Sequence, residues 1–367
     1  IISAINLSKE LKVEYPECDF VPVYWMASED HDFDEINYFN FKGKKVQWNR
    51  ESSGAVGHLD TENLDKVLDM FATNLGIGKN AKYIKHLFKG AYLEHDNLAD
   101  ATRFLANELF GSYGLVIIDA DDNKLKSLFT PYVKKELLEQ LSYKKVSESN
   151  DKINELGIKV QVNPREINLF YLKDSLRERI VFENGVYKVN DTNISWSKIE
   201  LLKHLDEAPE CFSPNVIMRP LYQEVILPNL CYIGGGGEIA YWLELKSNFE
   251  ANKITFPILL LRNSVVLASR KQVNKKEKLK LTWSNLFSNQ QELFDLKTKE
   301  YSQFKIDFSE QKAELKKQFD NLYSIAEQTD KSFLGTVKAQ ETKQIKGLEN
   351  LEKKLLKAEK RVHADKL

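Results

Sequence analysis

Cysteine is scarce in this sequence. The 367 residues include three, Cys18, Cys211 and Cys231, and no two of them have the Cys-x-x-Cys spacing. Three such cysteines do not form the paired framework of a disulfide-rich secreted protein, and their spacing argues against a structural zinc site. The sequence therefore favours a reducing, cytoplasmic location. We expect Cys18 and Cys231 to be packing or loop residues rather than nucleophiles.

Net charge and long apolar runs are also lacking. Lys and Arg number 53 against 54 Asp and Glu, a formal charge of −1, so no nucleic-acid partner is expected. The longest apolar runs, residues 256–261 and 265–268, are separated by Arg262 and are too short to cross a bilayer. The sequence therefore predicts no contact with a membrane. Ile1 opens a predicted helix with no signal peptide, and we expect a further segment to precede it in the natural protein.

Acidic residues are concentrated directly after one apolar stretch. Residues 20–27 read as a buried strand, and the charged residues that follow are Glu29, Asp30, His31, Asp32, Asp34 and Glu35. Ligands of open α/β sheets bind at the carboxyl ends of strands, so this strand end is predicted to form one wall of an active site. A simpler interpretation is a capped helix, with Ser28 or Asp30 as the N-cap and the carboxylates favouring the helix dipole.

The same pattern occurs a second time. Residues 115–118 are a predicted buried strand that ends in Asp119, Asp121 and Asp122, and a helix is predicted over 124–141. Two units of strand, acidic end and helix indicate a parallel sheet.

A glycine-rich loop follows a third predicted strand, residues 230–233. Its four consecutive glycines are Gly234, Gly235, Gly236 and Gly237, and Glu238 begins the next helix. Glycine allows close approach of the backbone, and a helix N-terminus offers free N–H groups to a phosphate or carboxylate. The loop matches neither the P-loop nor the Gly-x-Gly-x-x-Gly pattern, and a tight structural turn is the alternative interpretation. We expect all three strand ends to border a common hollow.

Two arginines beside prolines, Arg165 and Arg219, suit carboxylate recognition, although an arginine in such a position more often forms a structural salt bridge. His31 lies in the acidic cluster but no second histidine is near it. The sequence therefore predicts no metal site.

The composition divides the chain into two predicted domains. Residues 1–282 form an α/β core with a helical insertion at about 61–111 and a mixed α/β insertion at about 143–211. The second insertion contains Asn184-Gly185, a strong hairpin signal. Residues 283–367 contain no proline and carry apolar residues at heptad spacing. This pattern is typical of one long helix or an antiparallel helical pair in a coiled coil.

Several long blocks of sequence resemble one known family. They include PVYWMASEDHDFDEIN, GLVIIDADD, VNPREINLFYLKD, NLCYIGGGGEIAYWLELK and FPILLLRNSVV. In order along the chain they are similar to the bacillithiol biosynthesis cysteine-adding enzymes, the cysteine ligases of that thiol pathway. The resemblance implies a Rossmann-like parallel sheet core with connective insertions, plus a C-terminal α-helical coiled coil that is often dimeric.

The resemblance also implies a reaction, the condensation of L-cysteine with the amine of glucosaminyl malate in the cytosol. His31 or Glu29 would remove the amine proton, with Asp30 and Asp32 beside them. Arg165 or Arg219 would pair with a malyl carboxylate, and Gly234 to Gly237 would hold a phosphate or carboxylate. Asp119 and Asp121 would bind the cysteine ammonium or sugar hydroxyls, and Glu238 an amine.

The residues do not identify a cofactor. ATP or ADP is a candidate, because the core is similar to that of nucleotide-dependent ligases. Two other functions are compatible with the residues. One is a non-catalytic scaffold that recruits a partner through its coiled coil. The other is a sugar nucleotidyltransferase or glycosyltransferase, which would require a divalent metal.

Overall fold

The computed structural model describes the backbone of residues 1–364 and their side chains apart from that of Lys331. Residues 365–367, the end of the predicted coiled coil, lie outside the described part. The chain forms two compact units, Ile1–Ser264 and Val265–Leu367. The division precedes residue 283 because the segment 265–282 packs with the later helices: Lys297 Nζ donates to the carbonyl of Lys280 at 3.1 Å.

The helices of the first unit are α1 (Ile2–Glu14), α2 (Phe33–Ile36), α3 (Leu64–Leu75), α4 (Lys79–Tyr92), α5 (Leu98–Phe110), α6 (Asn123–Glu139), α7 (Leu141–Glu155), α8 (Lys198–Glu207), α9 (Arg219–Ile226), α10 (Gly236–Glu244) and α11 (Lys246–Ala251). Its strands are β1 (Val23–Met26), β2 (Tyr38–Phe41), β3 (Lys44–Gln47), β4 (Val116–Asp119), β5 (Leu169–Lys173), β6 (Leu176–Glu183), β7 (Val186–Val189), β8 (Ser195–Trp196), β9 (Phe212–Pro214), β10 (Cys231–Gly234) and β11 (Ile258–Leu261).

Two parallel strand pairs carry the predicted site segments. β1 pairs with β4 so that Met26 lies opposite Asp119, and β10 pairs with β11 so that Gly234 lies opposite Leu261. A loop follows each of these strands. The loops after β4 and β10 are short and lead into helices α6 and α10. Parallel pairs that alternate with helices are the expected α/β core.

A buried core fixes the position of the first pair. Trp242, Tyr222 and Phe129 are among the largest fully buried side chains, and Trp25 of β1 packs edge-on against Tyr222 with ring centroids 5.4 Å apart. The Tyr222 hydroxyl donates to the carbonyl of Ala120 at 2.7 Å. Helix α9 is therefore bonded to the loop that follows β4, where the acidic residues lie.

The insertions form their own substructures. Helices α3 to α5 follow the antiparallel hairpin β2–β3, and Phe33, Trp48 and Phe71 belong to the cluster buried there. The second insertion contains the antiparallel sheet with strand order β8-β7-β6-β5-β9. Asn184 and Gly185 have φ of +52° and +81° between β6 and β7, which confirms the predicted hairpin turn.

Some predicted elements are different in the structure. The alternation of apolar and polar residues over 159–163 predicts a strand, and this prediction is wrong, because β5 begins only at Leu169, after Pro164. The helix predicted over 124–141 is two helices, α6 and α7, separated at Gln140. The predicted N-cap Ser28 or Asp30 is wrong as well, since Asp32 caps the short helix α2.

The second unit is helical. Its helices are α12 (Arg270–Lys278), α13 (Gln290–Tyr301), α14 (Ser309–Ala326) and α15 (Lys331–Val362). Lys312 bonds Glu352 and Tyr323 bonds Glu341, each at 2.7 Å, so α14 and α15 run antiparallel. The apolar stripe of α15 is therefore covered in part by its own return helix, one of the two predicted arrangements.

Three aliphatic residues join the two units. Val265, Val266 and Leu267 follow Ser264 and are 76%, 63% and 90% exposed. They lie in neither a helix nor a strand.

Candidate active site

A cavity of about 1280 Å³ lies in the first unit and extends along β1 from its amino end to the loop that follows it. Six of the predicted site residues line it, namely Glu29, Asp30, His31, Arg165, Arg219 and Glu238. Residues from the loop after β1 and from β10 and α10 therefore share one cavity.

Glu29 is the buried carboxylate of this cavity, with 6% of its surface exposed. Lys126, on α6, lies 2.7 Å from Glu29 and 2.5 Å from Asp121, and it also donates to the carbonyl of Glu210 at 2.7 Å. Burial raises the pKa of Glu29, and the Lys126 ammonium opposes that rise only in part. Burial lowers the pKa of Lys126, but the two carboxylates outweigh it and the net pKa is raised. Lys126 is therefore protonated, and its ammonium holds the Glu29 carboxylate in position.

Asp119 and Asp121 lie outside the cavity lining in the described part of the chain and support the loop that carries Glu29. The Ser28 hydroxyl donates to Asp119, and His58 bonds Asp121. Burial raises the pKa of Asp121, but His58 and Lys126 more than compensate, so its net pKa is lowered. His58 has a raised pKa, chiefly because of its hydrogen bond with Asp121.

A short 3₁₀ turn, Val56–His58, packs against the same loop and is hydrogen-bonded to it. Gly57 N donates to the Ser28 carbonyl at 2.8 Å. A Cβ at Gly57 would lie 2.7 Å from Ser28 Cβ and the Ser28 carbonyl oxygen, so only glycine allows this close approach.

His31 is more exposed and is oriented by Arg177 of β6. Arg177 Nη1 lies 2.8 Å from His31 Nδ1, and its guanidinium lies 4.0 Å above the ring of Phe170. A guanidinium only donates hydrogen bonds, so Nδ1 must accept. The neutral imidazole then carries its proton on Nε2, which makes that nitrogen a donor.

Arg219, at the start of α9, is held by neutral groups. Its Nη2 donates to the Tyr241 hydroxyl at 2.9 Å and its Nη1 to Gln223 Oε1 at 3.2 Å. Burial lowers the pKa of Arg219, but Tyr241 and Tyr232 outweigh it and the net pKa is raised. A partly buried cation that has neutral hydrogen-bond partners and borders an open cavity is suited to bind a carboxylate or phosphate.

The glycine loop forms the start of α10, as predicted, at the end of β10. Glu238 folds back over it: its Oε2 accepts from Gly235 N at 2.6 Å and its Oε1 from the Tyr232 hydroxyl at 3.1 Å. One N–H of the loop is thus already bonded to a carboxylate. Arg262 also approaches this loop, with its Nε 3.4 Å from the position a Cβ on Gly235 would take.

Comparison with known proteins decides the family. A family model described as "Bacillithiol biosynthesis BshC, N-terminal Rossmann-like domain" matches residues 1–263. A second, described as "Bacillithiol biosynthesis BshC, C-terminal coiled-coil domain", matches residues 265–367. The chain belongs to the BshC family. This confirms both the family resemblance and the predicted fold class, a Rossmann-like core followed by a coiled coil.

The BshC relatives carry a functional name. A protein of Flavobacterium psychrophilum, named "Putative cysteine ligase BshC", is 65% identical over 367 residues, which is 100% of this chain and 69% of the relative. The F. johnsoniae protein of the same name is 63% identical with the same coverage. A Cytophaga hutchinsonii protein, also so named, is 40% identical over 99% of this chain and 68% of its own length.

The BshC fold brings together residues that sequence reasoning missed. Lys126, Arg177 and His58 contact predicted residues, yet nothing in their local sequence indicates this. Asp32 was predicted as a catalytic residue, but its Oδ1 accepts from Glu35 N at 3.3 Å as the cap of α2. Among the described residues, no helix is both long and apolar enough to span a membrane.

Proposed function

We propose that this chain condenses the carboxyl group of L-cysteine with the amine of glucosaminyl malate, forming the amide bond of bacillithiol. Membership of the BshC family and the names of its relatives support a cysteine ligase. The observation that carries the proposal is the buried carboxylate of Glu29 in a cavity bordered by arginines.

Glu29 is the proposed general base. The attacking amine loses a proton as its nitrogen bonds to the cysteine carbonyl carbon, and the carboxyl oxygen leaves with the group that activates it. A base is most effective when its pKa lies near the working pH, and burial raises the pKa of Glu29 in that direction. Lys126 fixes the carboxylate in place.

His31 is proposed as a hydrogen-bond donor rather than the base. Its Nδ1 accepts from Arg177, so Nε2–H is available to donate to a substrate oxygen. Of the two bases considered from the sequence, the contacts favour Glu29.

Arg219, assisted by Arg165, is the proposed site for a malyl carboxylate. Its hydrogen-bond partners are neutral, and a planar guanidinium can bind a carboxylate through two parallel hydrogen bonds. The cysteine ammonium is proposed to bind Asp30 and Glu238, because these carboxylates line the cavity whereas Asp119 and Asp121 lie outside its lining.

An activating phosphate group is proposed to bind the first turn of α10. Gly235 N–H is bonded to Glu238, but N–H groups at the start of a helix have no partner within the helix, and those of Gly236 and Gly237 are the next available. ATP is the natural candidate for this activation, and reactions with and without ATP decide whether it is consumed.

The test is a reconstituted reaction of the full-length protein with L-cysteine and glucosaminyl malate, with and without ATP, followed by mass spectrometry. We expect bacillithiol to form, and Glu29→Gln to lower kcat about 100-fold or more. Glu35→Gln is the matched control, since Glu35 also borders the cavity but is exposed. Formation of no bacillithiol in either arm, or an unimpaired Glu29→Gln variant, would contradict the proposal.

A further inference from the structure

The side-chain amide of Asn168 lies between two segments of the first unit that border the cavity. Asn168 directly precedes β5 and is fully buried, with 0% of its surface exposed. β5 pairs with β9, and the Asn215 N–H, just after β9, donates to the Asn168 carbonyl at 3.1 Å. From this end of the strand pair, one chain leads back to Arg165 and the other leads on to Arg219.

The Asn168 amide bonds both backbone groups of Arg165. Its Oδ1 accepts from Arg165 N at 3.0 Å, and its Nδ2 donates to the Arg165 carbonyl at 2.7 Å. A backbone N–H only donates and a carbonyl only accepts, so these two bonds define which end of the amide carries the oxygen. A single buried side chain therefore holds the backbone from which the Arg165 side chain extends.

The same amide oxygen also bonds the segment that carries Arg219. Asn215 Nδ2 donates to Asn168 Oδ1 at 2.9 Å. Asn215 Oδ1 in turn accepts from Ile217 N at 2.9 Å, and the Asn215 carbonyl accepts from Arg219 N at 2.8 Å. Asn215 thus forms the turn that begins α9. Hydrogen bonds through Asn168 and Asn215 connect the backbones of Arg165 and Arg219 without a break.

A buried serine and a buried carboxyl group keep the amide in this orientation. Asn168 Nδ2 donates to Ser142 Oγ at 2.6 Å, and the Ser142 hydroxyl donates to Glu136 Oε1 at 2.6 Å. Ser142 is 0% exposed and Glu136 1%. Exchanging the oxygen and nitrogen of the amide would place oxygen against the Arg165 carbonyl and N–H against the Arg165 N–H. Buried polar groups left without partners in this way are costly, so the amide has one orientation.

Backbone pairing alone does not hold the two arginines at a set separation. The pairing of β5 with β9 ends at Asn168 and Asn215, three and four residues short of Arg165 and Arg219. Arg165, Asn215 and Arg219 line the cavity, and Asn168 is not one of the described residues that do so. A malyl group carries two carboxylates, and two guanidinium groups can bind both only if their separation matches.

We propose that Asn168 is a positioning residue that sets the separation of Arg165 and Arg219 for a ligand with two carboxylates. The inference rests on the proposed function, because it takes the malyl group as the ligand of these arginines. Asn168 does not touch the substrate and acts only through the two arginines. Loss of its bond to Asn215 therefore weakens binding of the malyl group and leaves the reaction of the bound substrates unchanged.

Asn215→Ser tests this with little disturbance of the fold. Serine can still accept from the N–H groups at the start of α9, but its side chain is too short to bond Asn168 Oδ1 as well. We expect the Kd for glucosaminyl malate, measured by calorimetry without L-cysteine, and its KM to rise about 10-fold. The kcat and the KM for L-cysteine should stay within about twofold. A purely structural role would instead reduce the active fraction, which lowers kcat and leaves KM unchanged.

Asn97→Ser is the matched control. Asn97 Oδ1 also accepts from an N–H at a helix start, that of Asp100 at 2.8 Å, and its Nδ2 donates to Asp100 Oδ2 at 2.8 Å. It is not among the described residues that line the cavity. Its replacement should leave Kd, kcat and both KM values within about twofold of wild type.

A ligand with one carboxylate provides the second measurement. Glucosaminyl lactate lacks the terminal carboxylate of the malyl group, so it cannot bind both arginines in this way. We expect wild type to bind it about 10-fold more weakly than glucosaminyl malate. Asn215→Ser should bind the two ligands within about threefold of each other, because the second arginine no longer lies at the matching separation.

The outcomes distinguish this inference from the proposed function. If wild type binds glucosaminyl malate and Asn215→Ser binds it equally well, the positioning role is wrong and the proposed function stands. The same holds if the substitution lowers kcat alone, or if it weakens binding of glucosaminyl malate and glucosaminyl lactate equally. Failure of wild type to bind glucosaminyl malate would contradict both.

Discussion

The Lys126 ammonium compensates the charge of two carboxylates, so its removal is expected to lower the free energy of unfolding. Its ammonium lies between Glu29 and Asp121 with 2% of the side chain exposed. Removing one member of a buried ion pair leaves a charge without compensation, which typically costs about 3–5 kcal/mol. We expect Lys126→Met to lower the free energy of unfolding by this order, measured by urea denaturation at neutral pH.

Lys124→Met is the control for that variant. Lys124 lies on the same helix, α6, but is exposed. Its replacement should change the unfolding free energy by less than about 0.5 kcal/mol. Equal effects of the two substitutions would argue against a structural role for the Lys126 ion pairs.

His58 makes stability depend on pH near neutrality. Its pKa is raised by Asp121, so its contribution is complete below its unfolded pKa of about 6.5 and is lost as pH rises through the folded value. The lowered pKa of Asp121 has the opposite sign: its contribution is complete above about pH 4 and is lost as pH falls through the folded value.

The His58→Gln substitution isolates this effect. The difference in unfolding free energy between wild type and variant should be largest between about pH 4 and 6.5 and should shrink towards pH 9. His86→Gln, at an exposed position of α4, is the control and should show no such trend. A difference that grows with pH would contradict the assigned pair.

His31 can be tested as donor or base by two substitutions. Glutamine retains an N–H donor, whereas phenylalanine retains only the ring shape. If His31 donates through Nε2, His31→Gln keeps more activity than His31→Phe in the bacillithiol assay. If it were the base, both variants would lose activity to the same extent.

At the scale of elements, the acidic strand ends were predictable because each signal is local. Residues 20–35 and 114–122 combine an apolar run with carboxylates, and that combination requires no knowledge of distant contacts. The partners of those carboxylates were not predictable. Lys126 reaches back to Glu29 across 97 positions and Arg177 to His31 across 146, and a single sequence contains no signal for such pairs.

The break between α6 and α7 was missed for a different reason. The helical periodicity of apolar residues continues through Gln140. This residue nevertheless has φ of +52°, in the left-handed region, and the new helix α7 begins at Leu141. Glu136 lies just before the break, and its carboxylate accepts from Ser142 N at 3.0 Å and from Asn168 N at 3.1 Å. These contacts with a distant loop, rather than the helix propensity of residues 124–141, stabilise the turn.

Gln140 should therefore tolerate glycine. The left-handed conformation costs a residue with a Cβ about 1 kcal/mol, so we expect Gln140→Gly to stabilise the protein by up to about 0.5–1 kcal/mol. Glu139→Gly, at the last residue of α6, should instead destabilise it, by up to about 1 kcal/mol. Urea denaturation of both variants measures the contrast, and destabilisation by both would argue against this strain.

At the scale of the whole molecule, the helical unit is the proposed site of homodimerisation. Helix α14 covers part of the α15 stripe, but Leu351 stays 53% exposed and Phe333 43%. Apolar residues at such positions favour association with a second copy. Sedimentation should show a dimer that Leu351→Lys weakens at least 10-fold, whereas Ile77→Lys, at an exposed position of the first unit, should not. A monomer at micromolar concentration would contradict the proposal.

The junction after Ser264 has a practical consequence. Val265, Val266 and Leu267 are exposed aliphatic residues in an irregular segment, the combination that thermolysin cleaves most readily. Brief digestion should thus release two protease-resistant fragments, and cutting should begin at this tripeptide before the helices of either unit are attacked.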